Sequence, residues 1–544
     1  METPIKNTLA LRYRVSVKPR APAGDWLAVA PLRAARRRVL LARLVVLALL
    51  SAGQVTAQFT VTSTADSGPG TLRSALASAA NGDTIDATGV SGIILLTSGE
   101  LLVTNNVTIL GPGPANLAVN GNASYRVFNI SGSVVTIAGL TITNGKAAGG
   151  GFPANSGGGI FTGPGTLTVS NCALSANSAQ FGGGIFNDGT SSGKATLLLS
   201  ASTLTGNWAS ETGGGIYNNG NSGNAALTVS ASTFISNSAS GFGGGIYNDG
   251  YTGSAMLTVS VSTLSANLAG GDGGAIYNNG KSSGTGTVQI ATSTLSGNLA
   301  TSDGGGIYND GTSGQATLTV KASTLSGNSA GGGAGGAIRN RSRGGGASVE
   351  IGSSILNAGA SGGTIANFSG VINSDGHNLA SDYGGGVLLN ISDQLNSDPM
   401  LGPLQDNGGP TFTHALLPGS PAIDRGENLL DLTTDQRGLP RTVVGPCFPN
   451  ALGRDGTDIG AFEVQQPCLM AVSLRNVRVL WPPFGFGFDL TGGSNHQVVV
   501  VEASTNLVNW TALVTNTLGA TPLPFYDFGW TNFHQRFYRA QLPP

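Results

Sequence analysis

Charged side chains are scarce in this chain of 544 residues: Asp, Glu, Lys and Arg together make up 10%, and the net charge is −1. Soluble domains usually carry about 25% charged residues. Because Lys and Arg are not in excess, nothing in the composition attracts the chain to nucleic acid or to an anionic membrane surface. The composition therefore predicts that nucleic acid is not a partner.

Cysteine and histidine are also few, with three Cys and four His. Three cysteines cannot form a disulfide scaffold, although Cys447 and Cys468 are close enough in sequence to pair in an exported protein. Cys172 lies inside a repeated segment and is expected to be a single buried thiol. The histidines, which are not spaced for metal binding or for a Ser/His/Asp triad, are His377, His414, His496 and His534.

One apolar run, from Val39 to Ala52, is long enough to suggest a membrane span or an export signal. It follows a cluster of arginines and is itself interrupted by Arg43. The run is shorter than the ~20 residues of a membrane span, so it is predicted to be the core of a signal peptide rather than an anchor. Residues 1–57 are interpreted as an N-terminal extension and signal peptide, with cleavage after Ala57. We expect an exported mature chain without a transmembrane span.

Glycine, in contrast, is abundant, with 86 residues, and much of it lies in a motif that reads GGGIYNDG at residues 243–250. Variants of this motif recur, and their isoleucines are spaced by 25 and then by 30 or 31 residues. A fixed period of ~20–50 residues is typical of a solenoid, a propeller or another array. The aligned isoleucines are Ile160, Ile185, Ile216, Ile246, Ile276, Ile307 and Ile338.

Each repeat contains the signals of three short strands. In the unit that begins at Gly243, Asn-Asp-Gly predicts a tight turn, and the following AMLTVSVS alternates apolar and polar residues, as a strand with one buried face does. The segment STLSANLA completes the unit. Three strands in about 30 residues predict one coil of a right-handed parallel β-helix, whereas a propeller blade takes ~40–45 residues. The predicted fold class is therefore all-β.

Asparagine recurs in two registers of the repeat, and equivalent residues of adjacent coils stack at about 4.8 Å. Stacked amides can form hydrogen bonds from coil to coil, so both registers are predicted to be structural ladders. After the first ladder, Asp alternates with Asn from Asp188 to Asp310, which separates like charges by two coils. The first ladder comprises Asn187, Asn218, Asn248, Asn278, Asn309 and Asn340, and the second comprises Asn177, Asn207, Asn237, Asn267, Asn298 and Asn328.

Both ends of the predicted β-helix, residues 58–397 with strict repeats at about 148–346, are covered by other sequence types. The segment TLRSALASAANG (71–82) is predicted to be a capping helix, because Leu72, Ala75, Leu76 and Ala79 share one face. Residues 398–465, rich in Pro and Asp, are interpreted as a turn-rich closing segment. Residues 466–544 contain strand-like segments and three of the five tryptophans, which predicts a small β-sandwich.

Several motifs resemble those of secreted bacterial proteins. GGAI at 273–276 and 335–338 and FISN at 234–237 resemble the GGA[ILV] and FxxN repeats of polymorphic outer membrane proteins. VTSTADSGPGTLRSALASAANGDTI resembles a CSLREA-type start without its cysteine, and VEASTNLVNWTAL with RFYRA resembles an appended C-terminal module. NGGPTFTHALLPGSPAIDRG, DQRG and DIGAFE resemble a choice-of-anchor Q module. The resemblance implies a right-handed parallel β-helix at or outside the cell surface, with adhesion as its usual suggested role.

Pectate lyases and polygalacturonases share this fold, so a polysaccharide lyase or glycoside hydrolase is the alternative to a structural role. A lyase requires clustered carboxylates for Ca²⁺ and a basic residue, and an inverting hydrolase requires carboxylates ~6.5–9.5 Å apart. Asp272 and Asp303 occupy equivalent positions of adjacent repeats and are expected about 5 Å apart. They are a candidate weak Ca²⁺ site, or else two solvated turn aspartates. No catalytic residue and no other cofactor is predicted.

Two further groups of residues allow alternative interpretations. Arg339, Arg341 and Arg343 end the strict repeats and either bind an acidic glycan or form a charged edge that prevents end-to-end stacking. The aromatic residues of the C-terminal region either stack on sugars or fill the core of that domain.

The leading interpretation is a non-catalytic, secreted or cell-surface, adhesin-like protein. We expect a monomer that binds an extracellular polysaccharide or a cell surface through the flank of the β-helix or through the C-terminal domain. Repeated polar and aromatic faces are predicted to offer periodic contacts to such a polymer, among them Tyr217, Tyr247, Tyr277 and Tyr308.

Overall fold

The structure, a computed structural model, describes residues 56–190, 193–443, 455–465, 473–480, 485–491, 498–519 and 521–541. Residues 58–380 wind into a right-handed parallel β-helix, which confirms the predicted fold class. Each regular coil adds one strand to each of three parallel sheets, and its strand in the third sheet is usually broken into two short pieces. The predicted signal peptide core and the Cys447–Cys468 pair lie outside the described residues.

The strands of the three sheets pair in parallel from coil to coil. Sheet 1 has 12 strands: Gln58–Thr60, Thr84–Asp86, Thr108–Leu110, Val134–Ala138, Gly165–Ser170, Lys194–Ser200, Asn224–Ser230, Ser254–Ser260, Thr285–Ala291, Gln315–Lys321, Gly346–Gly352 and Val371–Gly376. Sheet 2 has 10 strands: Leu101–Val103, Phe128–Ile130, Ile160–Thr162, Ile185–Asp188, Ile216–Asn219, Ile246–Asp249, Ile276–Asn279, Ile307–Asp310, Ile338–Arg341 and Ile365–Phe368.

Sheet 3 has 17 short strands: Gly92–Leu95, Leu117–Asn120, Thr141–Thr143, Lys146–Ala147, Ala173–Ser175, Ser178–Phe181, Thr203–Thr205, Trp208–Thr212, Thr233–Ile235, Ser238–Ala239, Thr263–Ser265, Leu268–Ala269, Thr294–Ser296, Leu299–Ala300, Thr324–Ala330, Ile355–Ala358 and Leu379–Ala380.

Equivalent residues of neighbouring coils stand in register. Ile246 of sheet 2 pairs with Ile216 of the preceding coil and Ile276 of the following one. Along sheet 1 the alternation directs Leu257 and Val259 inward, and both are fully buried. The interior is therefore one continuous column of mainly Ile, Leu, Val and Phe side chains that runs through the strict repeats.

The glycines of the repeated motif form the corner that leads into sheet 2. Gly243 has a φ of 64°, in the left-handed region that side chains disfavour. A Cβ on Gly243 would also lie 2.6 Å from the carbonyl oxygen of Ile246. Glycine is thus required at this corner by both conformation and space, which explains why the motif keeps it.

Helix α1, Leu72–Ser78, covers the N-terminal end of the β-helix, with Leu72, Ala75 and Leu76 buried. Thr71 is its N-cap and accepts a hydrogen bond from the Ser74 amide at 3.2 Å. The predicted extent of 71–82 was too long, because Ala79 already has extended backbone angles. The Asp83 carboxylate accepts the Ala80 amide at 2.7 Å and holds the chain out of the helix.

Residues 381–397 cover the other end of the β-helix. They include a 3₁₀ turn, Gly384–Gly386, and place Leu388 in the common core. The backbone of Gln394 pairs with Ala380 at 2.8 Å, beside the last strand of sheet 3. None of the helices in the described part of the chain is long and apolar enough to cross a membrane.

The described residues between 473 and 541 form the predicted small domain, in the two antiparallel sheets of a sandwich. Phe488, Leu490 and Phe525 of one sheet share a core with Val499 and Val501 of the other. A 3₁₀ turn spans Trp530–Asn532. The sheets comprise Ser473–Leu480, Gly485–Thr491 and Leu523–Asp527, and Val498–Ser504, Thr511–Thr517 and Phe537–Gln541.

Candidate functional site

The asparagines of both predicted ladders point into the β-helix, where each is fully buried. In the second ladder, the amide of Asn207 donates to Asn237 at 2.9 Å, and Asn237 donates to Asn267 at 3.0 Å. The first ladder has the same pattern, with 2.8 Å between Asn218 and Asn248, and it continues one coil further than predicted, to Asn367. Because the amides bond to one another and to backbone, the ladders are structural and present nothing to a ligand.

Three of the four repeated tyrosines, Tyr247, Tyr277 and Tyr308, are buried, so the prediction that they contact a polymer is wrong for these three, while Tyr217 is partly buried. Tyr277 is 1% exposed and Tyr308 is 2% exposed. Their rings stack with centroids 5.0 Å apart, in a row that begins at Phe161 and continues through Phe186, Tyr217 and Tyr247. The row projects from the outer face of sheet 2, but in two coils an aromatic residue four positions before the repeat isoleucine packs over it, as Phe181 does over Tyr217 at 5.9 Å. Phe242 likewise covers Tyr277 at 5.1 Å.

Asp272 and Asp303 occupy that same covering position in the next two coils. The Asp272 carboxylate accepts the backbone amide of Asp303 at 3.0 Å, and the Asp303 carboxylate faces Arg339 at 3.7 Å. Burial raises the pKa of Asp272. The pair is therefore brought together as expected, with one carboxylate bonded to backbone and the other facing an arginine. Among the described residues, no three Asp, Glu, His or Cys side chains form a cluster suited to a metal ion.

The alternating Asp and Asn residues that follow the first ladder form a buried polar row beside the tyrosines. Asn279 donates to the Asp249 carboxylate at 2.7 Å, and the Tyr217 hydroxyl donates to the same group at 2.6 Å. Burial raises the pKa of Asp249, whereas hydrogen bonds and Lys281 outweigh burial and lower that of Asp310. The alternation thus supplies each aspartate with donors from its neighbouring coils.

The arginine trio ends both of these rows. Arg339 stands in register with Tyr308, and its guanidinium lies 6.0 Å from the Phe368 ring centroid. Arg341 stands in register with Asp310 and donates to the Tyr308 hydroxyl at 3.1 Å. Arg343 is exposed. Sheet 2 continues to a further strand, Ile365–Phe368, so Arg339 and Arg341 lie on an inner strand of this sheet and not on its terminal edge.

Cys172 is buried with a free thiol, as predicted, and burial raises its pKa to about 11. His377 pairs with Glu427 at 3.0 Å. Nε2 of His414 forms a hydrogen bond with the Ser296 hydroxyl at 2.9 Å, and burial lowers the pKa of His414. His534 is exposed, and His496 lies outside the described residues. The described histidines are therefore not brought together.

In the segment predicted to close the β-helix, 398–465, the described residues 398–443 and 455–465 lie along the outer face of sheet 3. Gln436, fully buried, donates to the Thr263 hydroxyl at 2.9 Å and accepts from the Thr294 hydroxyl at 2.7 Å. The amide of Ala461 donates to the Thr324 hydroxyl at 3.1 Å. Ile355 of sheet 3 joins an apolar cluster with Ile459 and other residues of the segment. The segment thus covers four consecutive coils from the side.

The motif residues of this segment converge in its buried centre. Asp435 pairs with Arg437 at 2.7 Å, and Arg437 lies 3.7 Å over the Phe462 ring. Burial raises the pKa of Asp458 to about 6 and that of Glu463 to about 9. The Asp458 carboxylate accepts the backbone amides of Val464 at 2.7 Å and Asp424 at 2.8 Å. The Glu463 carboxylate accepts the backbone amide of Asp458. This cluster organises the chain locally and is closed to a substrate.

An open groove lies elsewhere, on the uncovered part of sheet 3. Lys146, Ser178 and Trp208 stand in register on consecutive coils and face outward. Trp208 is 46% exposed, and the groove beside it has a volume of about 260 Å³. Gln180 and Asn155 line its side, and the Asn155 amide donates to the Gln180 oxygen at 2.6 Å. The Gln180 side-chain amide nitrogen forms no hydrogen bond with another described residue and can donate to a ligand in the groove.

The groove was not predicted from the sequence. Position 208 holds Trp where the equivalent positions of other repeats hold Ser or Leu, namely Ser178, Ser238, Leu268 and Leu299. A search for departures from the repeat would have found it. No protein-family model matches this chain, and no match was found among the curated proteins or the solved structures.

Proposed function

We propose that this protein is an exported, non-catalytic β-helix scaffold that binds an acidic polysaccharide in the groove at Trp208. The observation that carries this proposal is the alignment of an exposed indole ring with a lysine across three coils of one flat sheet face. A chain that lies along the axis of the β-helix would meet Trp208, Ser178 and Lys146 in turn.

The chemistry of the groove suits a sugar chain with carboxylates. An exposed indole offers a flat apolar face to a sugar ring, and nearly half of the Trp208 surface, 46%, is open to solvent. Lys146 stands two coils away, or about 10 Å at the usual spacing, and forms no ion pair with a described residue. Its ammonium group would pair with a uronate carboxylate while the Gln180 amide donates to a sugar hydroxyl.

The alternative, a polysaccharide lyase or hydrolase, has less support. In the best carboxylate pair, Asp272 already accepts a backbone amide and Asp303 already faces Arg339 at 3.7 Å. Both residues belong to the cover of the tyrosine row, on a different sheet from the groove. A structural role therefore accounts for these carboxylates without a reaction.

The place of action proposed here rests on sequence motifs. Export to the bacterial surface or matrix is supported by the apolar run that follows the N-terminal arginines. It is also supported by the likeness to polymorphic outer membrane protein repeats and to a choice-of-anchor Q module. A monomer in which each coil contacts only its neighbours would present the same groove at a fixed height above its attachment.

The test is retention of the purified protein on immobilised alginate and on a neutral glucan, with and without Ca²⁺, while released products are measured. We expect retention on alginate without product release. Trp208→Ala should weaken it by about 2 kcal/mol, roughly 30-fold, as for a central aromatic contact. Lys146→Ala should weaken it most at low salt. The matched control is Leu268→Ala, on the same outward row, which should bind as the wild type does.

Each other outcome contradicts a definite part of the proposal. Product release would show an enzyme. Retention that survives Trp208→Ala would exclude the groove, and equal retention on the neutral glucan would exclude the role of the lysine. Failure to bind either polymer would refute polysaccharide binding.

A further inference from the structure

Three residues that depart from the repeat meet at one point of the outer face of sheet 1, near its C-terminal end. Position 321 is a lysine, where the paired residues of neighbouring strands are Ala291 and Gly352. Position 350 is a glutamate, paired with Thr319. Asp375 is an extra residue in the last strand, where the register shifts between the pairs Ile351–Ser374 and Gly352–Gly376. Bulges of this kind often re-aim a side chain.

The bulge brings Asp375 into contact with the lysine. The Lys321 Nζ contacts the Asp375 carboxylate, and it lies 2.7 Å from Oε1 of Glu350. The lysine side chain is only 7% exposed, while Glu350 is 50% exposed. A buried amine thus stands between two carboxylates, one directly against it and one open to water.

Gly352 makes this contact possible. It lies between Lys321 and Asp375 in the sheet, and a Cβ there would stand 3.1 Å from Cβ and 3.5 Å from Oδ2 of Asp375. The Asp375 side chain can therefore cross over Gly352, which has no side chain of its own, to reach Lys321. The neighbouring Ser353 hydroxyl donates to the carbonyl of Glu427 at 2.6 Å, which holds the covering segment close to this point.

We propose that Lys321 and Asp375 form an intramolecular amide bond, with Glu350 as the proton carrier. Glu350 takes a proton from the ammonium group, and the freed lone pair of Nζ attacks Cγ of Asp375. The C–N bond forms as one C–O bond breaks, and that oxygen leaves as water with the two protons that Nζ gives up. Glu350 returns to its starting charge, and no electrons are gained or lost.

The arrangement supplies what such a reaction needs. Two reacting groups that a fold holds side by side react with effective molarities of ~10⁵–10⁸ M. Here proximity takes the place of chemical activation of the carboxylate. The product would add a covalent link between coils that otherwise contact one another through hydrogen bonds and side-chain packing, since the residues between 321 and 375 form a closed loop.

The test is mass spectrometry of the purified wild-type protein under denaturing conditions, on the intact chain and on tryptic peptides. We expect a mass lower by one water molecule, a branched peptide that joins Lys321 to Asp375, and no tryptic cleavage after Lys321. Lys321→Arg and Asp375→Ala should restore the full mass. Glu350→Gln should leave a fraction of the chains unlinked.

A matched control exists in the same solenoid. Lys281 and Asp310 are an ordinary ion pair at 3.0 Å, and among the described residues no second carboxylate forms an ion pair with this lysine. Lys281→Arg should therefore keep the wild-type mass deficit, and tryptic cleavage after Lys281 should proceed in the wild type. A wild-type protein of full mass that is cleaved after Lys321 would show an ion pair and overturn the proposal, whatever the variants do.

Discussion

Replacing Asn237 with alanine tests how strongly the buried ladders hold the coils together. Asn237 is fully buried, and its oxygen accepts the backbone amide of Asn207 at 3.2 Å and the side-chain amide of Asn207 at 2.9 Å. Its own amide donates to the carbonyl of Leu204 at 2.9 Å and to Asn267 at 3.0 Å. Alanine removes all of these bonds, and no water can replace them without opening the core.

The magnitude follows from the groups left without a partner. The Asn207 backbone amide loses its acceptor, and the Leu204 carbonyl loses a donor, in a dry interior. An orphaned buried polar group costs about 1–3 kcal/mol. The free energy of local opening should therefore fall by about 2–4 kcal/mol, which is roughly a 30- to 1000-fold rise in amide exchange.

Hydrogen exchange followed by mass spectrometry is the suitable assay, because unfolding of a long solenoid is not required to be two-state. The rise should be largest in the coils that contain residues 204–267 and small at both ends, since each coil contacts only its neighbours. The control is Asn224→Ala, at an exposed side chain, which should change exchange by less than about 0.5 kcal/mol. Equal effects of the two variants would refute a stabilising role of the ladder.

Three further predictions concern the buried networks outside the core. Tyr277→Phe removes a hydroxyl that donates to Asp310 at 3.0 Å, and should lower stability in urea by about 1–2 kcal/mol. Gln436→Ala should speed proteolysis of residues 398–465 at least about tenfold, because its buried bonds to sheet 3 are lost. Burial raises the pKa of Asp424 and Asp458 to about 6, so their protonated forms favour the folded segment. Its thermal stability should decrease as pH rises from about 4, near the unfolded pKa, through about 6, and Glu463, whose pKa burial raises to about 9, should extend the decrease to higher pH. Asp424→Asn should flatten this dependence.

Each of these predictions has its own control. Tyr251→Phe alters an exposed tyrosine and should leave stability unchanged. Gln405→Ala changes an exposed glutamine of the same segment and should not speed its proteolysis. A segment whose stability rises between pH 4 and pH 6, or a wild-type slope in Asp424→Asn, would show that these carboxyls are not held in their neutral form.

The repeat could be predicted from the sequence because it is governed by local rules. The alternation in AMLTVSVS determines which face of sheet 1 is buried. The constant spacing of residues such as Asn237 and Asn267 determines which residues of adjacent coils stack on each other. The end of α1 was misjudged by a few residues, because the Asp83 carboxylate that holds Ala80 comes from beyond the helical pattern.

The site could not be predicted in the same way, because it depends on contacts that break the repeat. Tyr277 lies on an outward position, and only the fold shows that Phe242 of the preceding coil covers it. Gln436 reaches Thr263 across a sequence separation of 173 residues. Periodicity carries no information on such contacts. The informative signals were single departures from the pattern, such as Trp208.

The lateral position of residues 398–465 has a consequence for how the length of this protein can change in evolution. The segment contacts the coils from Thr263 to Ile355, and the coils before them bond only to their neighbours. Unequal recombination between similar repeats, in the coils between the groove at Trp208 and the segment, would therefore add or delete whole coils, each about 4.8 Å in rise, without loss of a contact to the groove or to the segment. Length polymorphism among close relatives is expected between residues 208 and 260, with a constant number of coils beneath the segment.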